Sequence, residues 1–290
     1  MSSAKRIVRS LAYRLAPRMA AAAARARSRR LERRQWQSRI EEVLACPDSN
    51  KLQRHPGAGR ITGDLQTLFN GVKVVADGYY GAGMTELLRR NRGSHEPQEE
   101  LVFGEVLRRL AQGARMIECG AYWGFYSLWF AREIPHSRVW LIEPEAPHLD
   151  VGRRNFETNG LTAEFTQALV GRNSSVSQVC IDDFLTRHTI DRLQVLHADI
   201  QGAEVEMLHG AAAALAAQRI DFVFISTHGE DLHQECVEIL NGFDYDVAVS
   251  VRPRESYSVD GLIVGHRRGI VTAPLPLPSL KPQRFEATAR

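Results

Sequence analysis

Cysteine is scarce in this 290-residue chain, and none of the four is spaced to work with another. Cys46, Cys119, Cys180 and Cys236 lie far apart without a C-x-x-C pair. That argues against a metal knuckle and a disulfide framework, and free thiols suit a reducing, cytoplasmic setting. Long apolar runs are also missing, since no stretch approaches the ~20 residues needed to cross a bilayer. The patch from Met19 to Ala24 is short, alanine-based and followed by arginines, unlike a secretory signal. Acidic side chains are almost absent from the first 40 residues, which hold twelve Lys or Arg and only Glu32, about +11. The other 250 residues hold 25 basic and 33 acidic groups, about −8. The net charge of +3 therefore belongs to an arm, and the mildly acidic body does not invite nucleic acid.

Within residues 1–45, Ile7, Val8, Leu11, Leu15 and Met19 recur at helical spacing among arginines. A solvated basic helix, an oligomerisation arm, an organellar presequence and a peripheral membrane contact through residues 1–40 all fit that pattern. Residues 46–63 carry Pro47, Pro56, Gly57, Gly59 and Gly63 and suggest a linker. The division expected is a basic helical arm and linker over 1–63, a catalytic domain over 64–271 with its core at 98–266, and a proline-rich, extended tail over 272–290. A short strand at Val72–Ala76, a glycine turn at Gly78–Gly83 and a helix at Gln98–Gln112 lead into the core.

From there strands and helices alternate. Strands are expected at Arg115–Cys119, Arg138–Ile142, Ala163–Leu169, Gln194–Asp199, Asp221–Ser226, Tyr245–Val251 and Gly261–Gly265. Helices are expected near Tyr126–Arg132, Pro147–Asn159, Val205–Ala217 and Asp231–Asn241. Such alternation predicts an α/β fold: a seven-stranded, mostly parallel sheet covered on both faces by right-handed crossovers. The short link between the last two strands predicts an antiparallel C-terminal hairpin.

Met116-Ile117-Glu118-Cys119-Gly120-Ala121-Tyr122-Trp123-Gly124 is a buried strand, an acid and a glycine turn, and Leu141-Ile142-Glu143-Pro144 is the next strand with its acid. Glu118 and Glu143 lie 25 residues apart, about one βαβ unit. Glu118 is positioned to face a cationic cofactor end, Gly120 and Gly124 to make the turn, Tyr122 to touch the cofactor, and Glu143 to grip ribose hydroxyls. Two glycines instead of three disfavour a pyrophosphate and favour S-adenosylmethionine. Asp182 either borders the adenine or caps a helix. Asn155 and Asn159 are helix-end residues with a weaker claim on a ligand.

A second motif, His197-Ala198-Asp199-Ile200-Gln201-Gly202-Ala203-Glu204 followed by Leu208-His209-Gly210-Ala211, sets Asp199 at a strand end across the crevice from the glycine turn. Asp199 there orients a hydroxyl, takes its proton, or holds a divalent ion with Glu204 and His228. His228 ends the following strand and is the first choice of general base, with His233 one helical turn on. His95-Glu96-Pro97-Gln98-Glu99 is either a lid or a polar helix start.

Together these motifs resemble the FkbM family of S-adenosylmethionine-dependent O-methyltransferases, over about Gln98 to His266, with DIQGAE and LHGA the most specific part. The resemblance implies a class I methyltransferase (Rossmann-like) fold, S-adenosylmethionine as donor, and a hydroxyl of a sugar, glycolipid or secondary metabolite as acceptor. Three positions depart from the family pattern. Tyr122 stands where Asn is common, His197 where Lys is common, and Ser226-Thr227-His228 replaces a Glu-x-His strand end. A non-catalytic cofactor-binding scaffold and a nicotinamide-dependent oxidoreductase are the rival readings.

Overall fold

A computed structural model describes residues 27–282 apart from 29. Its contacts divide the chain into Met1–Glu41 and Glu42–Arg290. The described part of the first unit is helical. The expectations for the rest of the basic arm, and for the last eight residues, lie outside the described residues.

In the second unit, residues 46–63 are folded, contrary to the linker expectation. A 3-10 turn at Pro47–Asn50 leads to β1 (Ile61–Thr62), β2 (Leu65–Thr67) and β3 (Lys73–Val75), a small antiparallel sheet. Where a glycine turn alone was expected, α1 (Gly81–Arg90) follows, and α2 (Pro97–Leu107) opens on a proline with Glu99 and Glu100 in its first turn. A fixed φ and no missing donor make proline suitable there, and acids complement the positive helix end.

The main sheet is formed by β4 (Arg115–Cys119), β5 (Arg138–Ile142), β6 (Glu164–Thr166), β9 (Leu193–Ala198), β10 (Ile220–Thr227), β11 (Tyr245–Val251) and β12 (Gly261–Arg267), with a minor pair, β7 (Leu169–Val170) and β8 (Gln178–Val179), beside it. The order is β6-β5-β4-β9-β10-β12-β11, and β12 runs antiparallel to both neighbours. This is the class I methyltransferase arrangement, with the expected C-terminal hairpin. All eight residues of β10 are buried, as a central parallel strand covered on two faces requires. Each buried aliphatic or aromatic side chain of this kind stabilises by ~1.5–3 kcal/mol, so the strands hold the frame and their loops are left to carry chemistry.

The connecting helices are α3 (Phe125–Glu133), α4 (Ala146–Thr158), α5 (Ile181–Arg187), α6 (Glu204–Gly210), α7 (Ala212–Ala216) and α8 (Glu230–Gly242). The single helix expected over Val205–Ala217 is broken at Ala211, and the strand expected over Ala163–Leu169 is shorter. The tail is tied down instead of hanging free. Ser279 donates from its N–H and its hydroxyl to Asp48, Gln98 donates to the Ser279 carbonyl, and Leu275 is buried.

Candidate active site

Two loops meet at the carboxyl ends of the central strands. Gly120 has φ +73, and a Cβ there would lie 1.8 Å from the Asp199 carbonyl oxygen. The Asp199 N–H in turn donates to the Cys119 carbonyl, 3.0 Å. Only glycine permits both the left-handed backbone and the approach. Tyr122 (φ 41) and Gln201 (φ 54) also take the left-handed conformation, one in each loop, a strain that persists only where surroundings enforce it.

On one side of the crevice the acids face backbone donors. Glu118 is buried and accepts the Ser127 N–H at 2.9 Å, capping α3, whose start has no side-chain cap of its own. Burial raises its pKa, opposed by the charge of His197 and the hydrogen bond to Ser127. Glu143 accepts the N–H groups of Tyr122 (3.2 Å) and Glu145 (3.0 Å) and sits 3.2 Å from His148 Nδ1. The Tyr122 ring stacks on His148 with centroids 3.6 Å apart. A carboxylate has about four acceptor positions, so Glu143 retains one, and gains a second if His148 turns away.

Opposite, the charges cluster. His228 Nδ1 lies 2.6 Å from Glu204 Oε1, and Nε2 lies 3.2 Å from Asp199 Oδ1 and 3.3 Å from Asp260 Oδ1. The Gln201 amide is 2.9 Å from the same Nε2. Burial alone lowers the pKa of this imidazole. The hydrogen bonds to Asp199 and Glu204 and the charge of Asp260 outweigh burial and raise it to about 10. A pKa raised this far weighs against the expected role of His228 as general base. Asp199 beside it is still partly exposed.

The Glu-x-His strand end that the sequence lacks has a spatial substitute. The carboxylates come from Glu204, in the DIQGAE turn, and from Asp260, in the β11–β12 loop. Asp260 escaped the sequence reading because it lies in no motif. Beneath the crevice, His197 is buried with Nε2 2.7 Å from Glu99 Oε1, and Glu99 Oε2 accepts from Ser226 Oγ at 3.2 Å. Burial lowers the His197 pKa, and the Glu99, Glu118 and Asp199 carboxylates more than reverse it. This histidine occupies the position where the family commonly has Lys.

Other candidates serve the frame. Asp182 directs both carboxylate oxygens to the N–H groups of Ala213 and Ala214, 2.8 Å each, so it caps α7 and the adenine-site alternative is set aside. Asn155 bridges the Val75 N–H and the Trp123 carbonyl, and Asn159 bonds both backbone groups of Lys73. His233 is a buried core histidine between Thr227 and Ser250. His95 lies inside, 2.9 Å from Glu100 and 3.3 Å from Glu96, so the segment is no lid. Among the described residues no group of three or more His, Cys, Asp or Glu is arranged to hold a metal ion. A groove of about 790 Å³ lies elsewhere, bordered by Arg54, His55, Phe69 and Trp129, and contains none of the crevice acids.

Residues 146–247 match the methyltransferase FkbM domain. Over that third of the chain the sequence is similar to the FkbM methyltransferase domain. The likeness supports the transferase class. The matched span includes Asp199, Glu204 and His228, while the glycine turn and Glu143 precede it. No curated protein matches this chain. Solved structures with a partial likeness include the O-methyltransferase TomG of Streptomyces achromogenes with bound SAM, at 18% identity, covering 61% of this chain and 81% of that one, TM-score 0.43. A precorrin-6y C5,15-methyltransferase of Geobacter metallireducens is 16% identical over 57% of this chain and 87% of its own, TM-score 0.40. TrmK of M. capricolum with S-adenosylhomocysteine is 14% identical over 57% and 67%, TM-score 0.40.

Proposed function

We propose that the FkbM domain transfers a methyl group from S-adenosylmethionine to a hydroxyl of a neutral polyol, with a sugar unit of a glycan or glycolipid, or a secondary metabolite, as the acceptor class. The observation that carries this reading is the grouping of Asp199, Glu204, Asp260 and His228 opposite the glycine turn.

The residues present fit the cofactor. Beside the tight Gly120–Gly124 turn, Glu143 retains acceptor capacity for a ribose hydroxyl. Three carboxylates around one imidazolium leave an excess of negative charge, which suits a sulfonium and disfavours an anionic acceptor. When bound, the cofactor supplies an electrophilic methyl group for an in-line displacement. The chain's own task is alignment, a contribution on the order of 7 kcal/mol in well-oriented systems, and removal of one proton from the acceptor. Asp199 accepts that proton. His228, held by Glu204, fixes the position of the Asp199 carboxylate. Glu143 and the backbone of the turn orient the donor.

The basic arm supports a peripheral placement at an anionic membrane surface, in a cytoplasmic protein whose described helices include none long and apolar enough to cross a membrane. Deleting residues 1–40 should reduce binding to anionic vesicles. Unchanged partitioning removes that part of the reading.

Calorimetric titration with S-adenosylhomocysteine and with NAD tests the core of the proposal. Micromolar binding of the former alone, weakened at least tenfold by Glu143→Ala, is expected. Turnover on polyol acceptors with labelled methyl donor should fall at least a hundredfold in Asp199→Asn. Full turnover in that variant transfers the proton-accepting role elsewhere, and binding of NAD in place of S-adenosylhomocysteine would falsify the whole reading.

A further inference from the structure

We propose that Glu99 is a positioning residue for the Asp199–His228 pair, acting by bridging β9 and β10 directly beneath them. The inference rests on the assignment of chemistry to that pair.

Alternate residues of a strand share a face. His197 in β9 stands two residues before Asp199, which lies just past the strand end, and Ser226 in β10 two before His228, also just past its strand. The two strands pair in parallel with Phe224 opposite His197 and Ile225 opposite Ala198. One carboxylate joins both positions: Oε1 is 2.7 Å from His197 Nε2, and Oε2 accepts from Ser226 Oγ at 3.2 Å. The ladder spaces the strands up to Ala198 and Ile225, and the Glu99 carboxylate adds a side-chain tie just before the two ends that carry the 3.2 Å contact between Asp199 and His228.

The bridge is itself anchored. Gln98, the preceding residue, accepts the Tyr257 N–H at 2.8 Å and the Ser256 hydroxyl at 3.1 Å. Those residues belong to the loop that carries Asp260. The first turn of α2 thus touches all three supports of the imidazole's surroundings: the β9 end, the β10 end and the β11–β12 loop. On its other side His197 lies opposite Glu118 in the β4–β9 register, but its Nδ1 has no hydrogen-bond partner, so the bridge ends at His197.

A purely structural role does not explain a charged side chain here. Glu99 is buried, and its hydrogen bonds run to two side chains of the strand ends. Apolar residues of similar volume often serve stability as well as a buried ion pair or better. What an apolar residue cannot do is fix the spacing of two strand ends through directed bonds.

The test uses the full chain with isotope-labelled histidine, following the His228 imidazole by NMR against pH and assigning it with His228→Asn. Glu99→Ala removes both arms of the bridge, Ser226→Ala removes only the β10 arm, and Glu99→Gln keeps the shape without the charge. Loosening the contact with Asp199 should lower the His228 midpoint from about 10 by at least about one unit, a tenfold loss of proton affinity, in Glu99→Ala. Ser226→Ala and Glu99→Gln should show smaller shifts of the same sign. S-adenosylhomocysteine affinity, measured on the same samples, should stay within about threefold. An unshifted His228 in a folded Glu99→Ala protein overturns the proposal. If that variant does not fold, unshifted midpoints in both Ser226→Ala and Glu99→Gln overturn it equally. Failure of the unmodified protein to bind S-adenosylhomocysteine counts against the cofactor assignment and leaves the histidine titration to judge the bridge.

Discussion

The two halves of the crevice are built on different principles. On the cofactor half, Glu118 and Glu143 receive N–H groups from Ser127, Tyr122 and Glu145, so their places follow from the path of the chain. On the acceptor half, Asp199, Glu204 and Asp260 face one imidazole, and their places follow from charge. Backbone donors cannot titrate, whereas an imidazolium among carboxylates can. The binding half should therefore be insensitive to pH across the neutral range, and the reacting half should respond to it.

The largest effect tests the point where the halves touch. Gly120→Ala forces a Cβ against the Asp199 carbonyl and an unfavourable left-handed φ, costing at least about 3 kcal/mol and lowering the melting temperature by roughly 6–12 °C. Gly202→Ala is the control: φ is +100 but no atom lies within 4 Å of the added Cβ, so about 1–2 kcal/mol is expected. Equal melting temperatures for the two variants would show that the loops part easily and that the halves are not locked.

A smaller effect isolates the charged half. The folded pKa of His228, about 10, lies above the ordinary value near 6.5, so its contribution to stability is complete below about pH 6.5 and is lost as pH rises through about 10. His95 has the same direction and range. Burial lowers its pKa, and the charges and hydrogen bonds of Glu96 and Glu100 raise it to about 10. Thermal denaturation from pH 6 to 10 should show falling stability in the native sequence and a distinctly shallower fall in His228→Asn. Identical slopes would mean that His228 gains no net proton affinity on folding.

The smallest effect concerns the histidine on the backbone-built half. His148 is partly exposed, with a 3.2 Å contact to Glu143. Such contacts contribute about 0.2–1 kcal/mol, so His148→Ala should tighten S-adenosylhomocysteine binding by up to about fivefold at pH 6. Weaker binding would show that His148 holds Glu143 in place for the ligand.

The cofactor half was largely legible in the sequence because it is local. Strand, acid and glycine turn are contiguous, and the register of β4 and β5 follows from alternating buried strands. The acceptor half was legible only in part. Asp199, Glu204 and His228 stand in motifs, but the protonation of His228 depends on Asp260, 32 residues further along the chain. Glu99 reaches His197 and Ser226 across separations of 98 and 127 residues, and a polar helix start carries no sign of that destination. Asp182 shows the reverse case. An aspartate after a short strand has the same local pattern whether it meets adenine or caps a helix, and the cap it forms belongs to α7, 30 residues away.

The Trp123 indole offers an optical handle on all of this. It lies inside the glycine turn, buried, and stacks on Tyr79 with centroids 4.4 Å apart and planes within 3°. A ligand that enters the turn must disturb that stack or stiffen it, and either alters the surroundings of a natural fluorophore. Cofactor analogues can therefore be screened by emission in unlabelled solution, before any acceptor is identified.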